Sequence, residues 1–239
     1  MNDYAVLVTS AVNTKFGVYK NDVRLAQTIA TIKSVKQQIP NATIFVLEMA
    51  GVPLTTEQQD ALTAESDHLL NFTSDEDVVN LYNSTDNWDI VKNVTEVLCF
   101  GKALKTLNST GQLSQYKRIF KISGRYLLTD DFNLPFYTDY KNQSMIVLGS
   151  KKTSQFPFKI TETEFQYMSR LWSWPAILTE EIIQAYDNSL KYMSQRLAAG
   201  GYVDIEHCLY KFIDSAKIVE KSPLGLIGNI APNGVAIKD

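Results

Sequence analysis

Residues 5–12 read AVLVTSAV, and Ala5, Val6, Leu7 and Val8 place apolar side chains on consecutive positions, so the strand they form is buried on both faces. Such a strand belongs inside a parallel sheet. After a polar loop containing Gly17, residues Leu25, Ile29, Ile32 and Val35 recur at helical spacing, with Asn21 or Asp22 available to cap the helix and Pro40 beyond its end. A second two-faced strand, TIFVLEM at 43–49, completes a βαβ unit, whose crossover is right-handed.

Outward from this unit, the polar stretch 55–65 predicts a helix and 68–72 a short strand. Ile90, Val94, Val97, Leu98, Ala103 and Leu104 trace one face of a helix over 89–107. RIFKISGRYLL at 118–128 reads as a central strand and MIVLG at 145–149 as another; 180–197 and 205–213 carry helical periodicity. The Gly- and Pro-rich segment 222–239 predicts a loop folded back over the site. No repeat or linker divides the 239 residues, and 45% apolar content suffices for one large core, so a single α/β domain is expected.

A net charge of -3 argues against a nucleic-acid partner. Cys99 and Cys208 form neither a CxxC nor a disulfide framework, which fits a reducing compartment. The start, Met1-Asn2-Asp3-Tyr4, has no basic or apolar leader, and no run is apolar enough to span a bilayer; a cytosolic location is the expectation. Neither a Gly-x-Ser-x-Gly elbow nor a Walker phosphate loop is present, so hydrolase, GTPase and kinase chemistry lack support.

In open α/β sheets ligands collect beyond the carboxyl ends of the strands. The first strand is followed by Thr9, Ser10 and Asn13, with Arg24 opening the next helix, and the second ends at Glu48. Hydroxyls, an amide, a guanidinium and a carboxylate suit a nucleoside with its phosphates; the alternative is that the hydroxyls satisfy loop backbone and Arg24 makes a surface ion pair. Lys121, Ser123, Gly124 and Arg125 put cations and a flexible step into an apolar strand, which points to a ligand passing close by, or to a bulge with Arg125 paired to a core carboxylate.

Three stretches carry a resemblance: Arg24-Leu25-Ala26-Gln27-Thr28 running on to Pro40 and Leu47-Glu48; Lys121-Ile122-Ser123-Gly124-Arg125-Tyr126; and Asp204-Ile205-Glu206-His207 with Leu209-Tyr210. With the tail motif at 228–234 they span nearly the whole chain, which resembles a family of GT-A-like glycosyltransferases found in bacteria and their viruses. The resemblance implies a Rossmann-like, mostly parallel central sheet flanked by helices. It also implies a nucleotide-sugar-binding half (1–135), an acceptor-binding half (136–239) and a nucleoside diphosphate sugar donor, UDP by default, with a glycan or other acceptor.

Most GT-A enzymes hold a divalent cation, Mn or Mg, against the diphosphate with an Asp-x-Asp pair. Here that position reads Ser123-Gly124-Arg125. No metal ligand is therefore assigned, and Arg24, Lys92, Lys121 and Arg125 stand as alternative counter-charges. Asp75-Glu76-Asp77, Asp130-Asp131 and Asp204 with Glu206 remain as possible metal ligands, but the first is more often a helix cap and the second more often a turn. Sugar transfer with inversion needs a carboxylate to take the acceptor's proton, for which Asp204 and Glu206 are the candidates, with capping of the following helix as the other use of Asp204. Arg125 is the catalytic cation. Trp172 and Trp174 alternate along an extended stretch and, with His207, are assigned to the acceptor, core packing being the alternative for the indoles. The rival functions are a sugar nucleotidyltransferase, whose Gly-rich basic loop is missing from 9–17, and a non-catalytic sugar- or nucleotide-binding module.

Overall fold

The computed structural model describes residues 3–230 and 234–239. Strand β1 (Tyr4–Ser10), helix α1 (Asn21–Gln38) and strand β2 (Thr43–Glu48) form the expected unit, and α2 (Thr56–Glu65) leads on to β3 (His68–Asn71). Helices α3 (Glu76–Ser84) and α4 (Trp88–Ser109) return the chain to β4 (Arg118–Ser123), on the other side of β1. The second half contains β5 (Tyr126–Leu128), α5 (Leu134–Thr138), β6 (Ile146–Gly149), β7 (Lys152–Thr153), α6 (Phe158–Thr161), β8 (Phe165–Gln166) and β9 (Leu171–Pro175). It closes with α7 (Thr179–Ala198), α8 (Ile205–Phe212), β10 (Ile218–Lys221), β11 (Leu226–Ile230) and β12 (Val235–Lys238).

Seven strands make the central sheet in the order β10-β6-β9-β4-β1-β2-β3. All are parallel except β9, which runs antiparallel between β4 and β6. The two-faced burial read from the sequence follows from helices on both sides. Leu7, Phe45, Leu47, Trp172 and Trp174 face α4 and α7. Val6, Val8, Ile44, Val46 and Phe120 face Ile32 and Val35 of α1. Each such side chain, fully buried, stabilises the fold by ~1.5–3 kcal/mol, so the central strands tolerate polar residues only at their ends.

Three expectations need correction. Helix α1 is entered from Lys20, which makes no side-chain cap; Asp22 instead lies in the first turn, where its charge complements the helix dipole. The strand read over 118–128 breaks in two: Gly124 N–H donates to Thr9 O (2.8 Å), Arg125 N–H donates to Ser123 O (2.8 Å), and the chain leaves the central sheet. Tyr126–Leu128 then pairs antiparallel with β11, and β11 with β12, in a second, three-stranded sheet. Most of the described residues in the predicted C-terminal loop are thus strand. Gly228 is there because a Cβ would lie 2.4 Å from the Tyr126 ring and 2.6 Å from Arg125 O. Residues 231–233 of the tail motif lie outside the described residues. Among the described residues no helix is long and apolar enough to cross a membrane.

Candidate active site

A cleft opens beyond the carboxyl ends of β1 and β4, where the parallel strands release their chains into loops. Its floor is Thr9, Ser10, Ser123 and Gly124, cross-tied by Ser10 Oγ to Thr28 Oγ1 (3.2 Å) and by Thr28 Oγ1 donating to Gly124 O (3.3 Å). A Cβ at Gly124 would stand 3.0 Å from Thr9 O and from Thr28 Oγ1, so the turn and α1 can approach this closely only with glycine there. Arg24 from α1 and Arg125 from the turn form one wall; Trp88, Lys92 and Glu96 from α4 form another. The loop after β1 covers the cleft with Phe16 and Tyr19. The cleft is open to solvent at its mouth.

The charges in this cleft are unequal. Arg24 Nη1 donates to Ala11 O (2.9 Å) and Nη2 to Phe16 O (3.4 Å), but no carboxylate pairs with it among the described residues. Arg125 lies over the Tyr126 ring at 5.3 Å, and its guanidinium has neither a hydrogen bond nor an ion pair among the described residues. The Nε of both arginines is buried without a partner. Burial, and then the Arg125 charge, pull the Arg24 guanidinium below its ordinary value. Two guanidiniums within electrostatic reach of each other, one of them desolvated and neither in an ion pair among the described residues, give this wall an electrostatic preference for anions.

Lys121 behaves oppositely. Its side chain is fully buried and Nζ donates to Glu96 Oε1 (2.9 Å), Ser123 Oγ (2.9 Å) and Ser169 O (2.7 Å), leaving no donor for a ligand. The ion pair that the sequence left open for Arg125 therefore belongs to Lys121. Burial opposes ionisation of Glu96, yet Lys121, with Lys92 and Arg125 nearby, holds its carboxyl below the ordinary range.

Glu48 and Asn13 likewise turn inward. Glu48 is wholly buried and accepts from Ser10 Oγ (2.7 Å), Val12 N–H (2.9 Å) and Ala50 N–H (3.3 Å), anchoring both strand-end loops. Burial raises its pKa against those hydrogen bonds. Asn13 donates to Pro53 O and Gln58 Oε1 and fixes the start of α2. Trp172 and Trp174 alternate onto one face as read, but that face is the core: both are fully buried, 4.6 Å apart, and pack with Phe100. They do not line the cleft.

The Asp204 region divides its roles. Asp204 caps α8 through His207 N–H and binds His207 Nδ1 (2.5 Å), and His207 Nε2 meets Ser154 Oγ (2.8 Å). His207 is fully buried between these partners, so it has no surface to offer an acceptor. Glu206 is only half-buried, accepts from Ser169 Oγ (2.6 Å), and has its pKa raised by burial and then by Asp204, with Lys92 opposing. Glu206 does not itself line the cleft; it interacts electrostatically with Lys92 and Glu96, which do. The other acidic clusters are structural: Asp75 caps α3 and shares Lys102 with Asp77, while Asp130 and Asp131 sit in a turn with Gln38 and Lys238 as partners.

Sequence reasoning missed Glu96, Trp88, Tyr82 and Thr28. Trp88, Lys92 and Glu96 recur every fourth residue along α4, a polar stripe beside an apolar face, and that spacing was the available signal. Tyr82 is visible only in three dimensions, its ring filling the space a Cβ on Gly51 would occupy.

The sequence matches no protein-family model and no curated protein. Solved structures are similar in fold. The galactosyltransferase LgtC, in complex with donor and acceptor sugar analogs, aligns over 90% of this chain and 72% of its own, with TM-score 0.52 and 12% identity. The mannosyltransferase Ktr4p from S. cerevisiae, in complex with GDP, aligns over 94% of this chain and 70% of its own, with TM-score 0.51 and 12% identity. A mostly parallel seven-stranded sheet flanked by helices in a single domain gives this chain the fold of the GT-A glycosyltransferases.

Proposed function

We propose that the chain is a glycosyltransferase that takes a sugar from a nucleoside diphosphate sugar, a UDP-sugar in the first instance, and passes it to an acceptor hydroxyl. The observation carrying this reading is the pair Arg24 and Arg125, in no ion pair among the described residues, in an aromatic-walled cleft at the carboxyl ends of β1 and β4. The donor's nucleoside lies among the aromatic residues and its diphosphate at the guanidiniums. The acceptor enters from the second half of the chain, on the side where Glu206 lies within electrostatic reach of Lys92 and Glu96 in the cleft wall. Glu206 takes the acceptor's proton as its oxygen attacks the anomeric carbon; the bond to the β-phosphate oxygen breaks, and the nucleoside diphosphate departs with that electron pair. A carboxylate with a raised pKa is the stronger base for this task. Asp204 and His207 position α8 and thereby Glu206.

The test is incubation with a panel of nucleotide sugars while following released products. Free nucleoside diphosphate is expected from at least one donor, by transfer or slow hydrolysis. Release of pyrophosphate from a nucleoside triphosphate would instead identify a nucleotidyltransferase, and ligand binding without any product would identify a binding module.

A further inference from the structure

We infer that the Arg24 and Arg125 pair, and not a divalent cation, neutralises the diphosphate, so that donor binding needs no metal; this rests on the nucleotide-sugar reading above. A metal ion bridging a diphosphate needs carboxylate oxygens that are free to ligate it. The donor set of this cleft does not provide them. At the end of β4 the residues are Ser123, Gly124 and Arg125; the Ser123 hydroxyl already accepts from Lys121, and the Gly124 carbonyl from Thr28. Glu96 is the one carboxylate lining the cleft among the described residues, and it is bound to Lys121. Glu48 lies beneath the floor with both oxygens occupied by Ser10, Val12 and Ala50. No group of three His, Cys, Asp or Glu side chains among the described residues is placed to share an ion. A cation at the strand end would also sit beside Arg125, with Arg24 close by, and be repelled.

The same geometry suits a dianion. The guanidiniums are within electrostatic reach of each other, and each has a buried Nε with no acceptor. Arg24 is held in place by Ala11 O and Phe16 O, and the loop packs so closely over it that a Cβ on Gly17, at φ +103°, would stand 2.6 Å from Nη2. One wall of the clamp is thus rigidly preset. The Arg125 guanidinium, without a hydrogen bond among the described residues, is free to close on the ligand as a fork.

Calorimetric titration of the full chain with UDP, GDP and inorganic pyrophosphate, in chelator and again in manganese, tests this. Affinity is expected to agree within about twofold between the two conditions, to fall about tenfold or more in Arg125→Gln, and to recover partly in Arg125→Lys, which keeps the charge and loses the fork. The melting temperature of Arg125→Gln should match that of the parent, and if it does not, the chelator comparison and Arg125→Lys still decide. Nucleoside diphosphate binding that vanishes in chelator and returns with manganese overturns the inference while leaving the nucleotide reading intact. So does binding indifferent to Arg125→Gln. Failure of UDP and GDP to bind in either condition removes the nucleotide reading, and this inference with it.

Discussion

Lys121 and Arg125 stand at the two sides of the point where β4 leaves the central sheet, and the molecule treats their charges in opposite ways. Lys121 is taken out of water completely and matched by Glu96, a hydroxyl and a carbonyl. Arg125 is left half-exposed and in no ion pair among the described residues, within electrostatic reach of Arg24, which likewise makes none. An interior cation must be neutralised within the fold, because an unpaired one costs several kcal/mol. A cation left unmatched at a cleft keeps its interaction energy for a ligand. Positive residues close together in sequence can therefore be a structural rivet and a binding group, and the partner list separates them.

The sharpest way to break this contrast is Lys121→Met, which strands the partly buried Glu96 carboxylate. It is expected to destabilise the chain by about 3–5 kcal/mol in denaturant unfolding, with Lys121→Met/Glu96→Gln recovering much of the loss. Arg125→Gln should change stability by no more than about 0.5 kcal/mol. Equal destabilisation by both would abolish the distinction.

Next in size is Glu206→Gln, expected to lower turnover by about a hundredfold or more with donor affinity nearly unchanged. Because the Glu206 pKa is raised, the rate of the parent should climb with pH through a limb above the ordinary glutamate range, and that limb should disappear in the variant. A variant of near-normal rate would remove Glu206 from the reaction.

The smallest effect concerns Glu48 beneath the cleft. Its folded pKa is raised, so its contribution to stability is complete below the unfolded value of about 4.3 and is lost as pH rises through the folded value. Glu48→Gln keeps an acceptor for Val12 N–H and Ala50 N–H without the charge. Unfolding free energies measured across pH should show the parent losing stability relative to Glu48→Gln as pH rises; the reverse slope would mean that a cation balances Glu48.

Much of the fold was legible because β1 and β2 are buried on both faces, and continuous apolar runs report that directly. What the run RIFKISGRYLL could not report is which sheet buries it. Residues on both sides of Gly124 are buried, Phe120 in the central sheet and Tyr126 in the second. Gly228 misled in the same way: its small size serves a close strand crossing, not a loop. Within the site, Thr9, Ser10, Arg24, Lys92, Ser123, Gly124 and Arg125 were readable as polar residues at strand ends and helix starts, and all seven line the cleft. Glu48, Lys121, Asn13 and the two tryptophans were misassigned because residue type does not say which way a side chain points. Buried partners decide that, and those partners come from distant segments.

The most direct measurement is a crystal structure of the chain with an intact nucleoside diphosphate sugar in the presence of manganese. The diphosphate oxygens are expected within hydrogen-bonding distance of the Arg24 and Arg125 guanidiniums, with no ion between them. A diphosphate held through manganese on carboxylates, with Arg125 turned away from it, would rule out the arginine clamp.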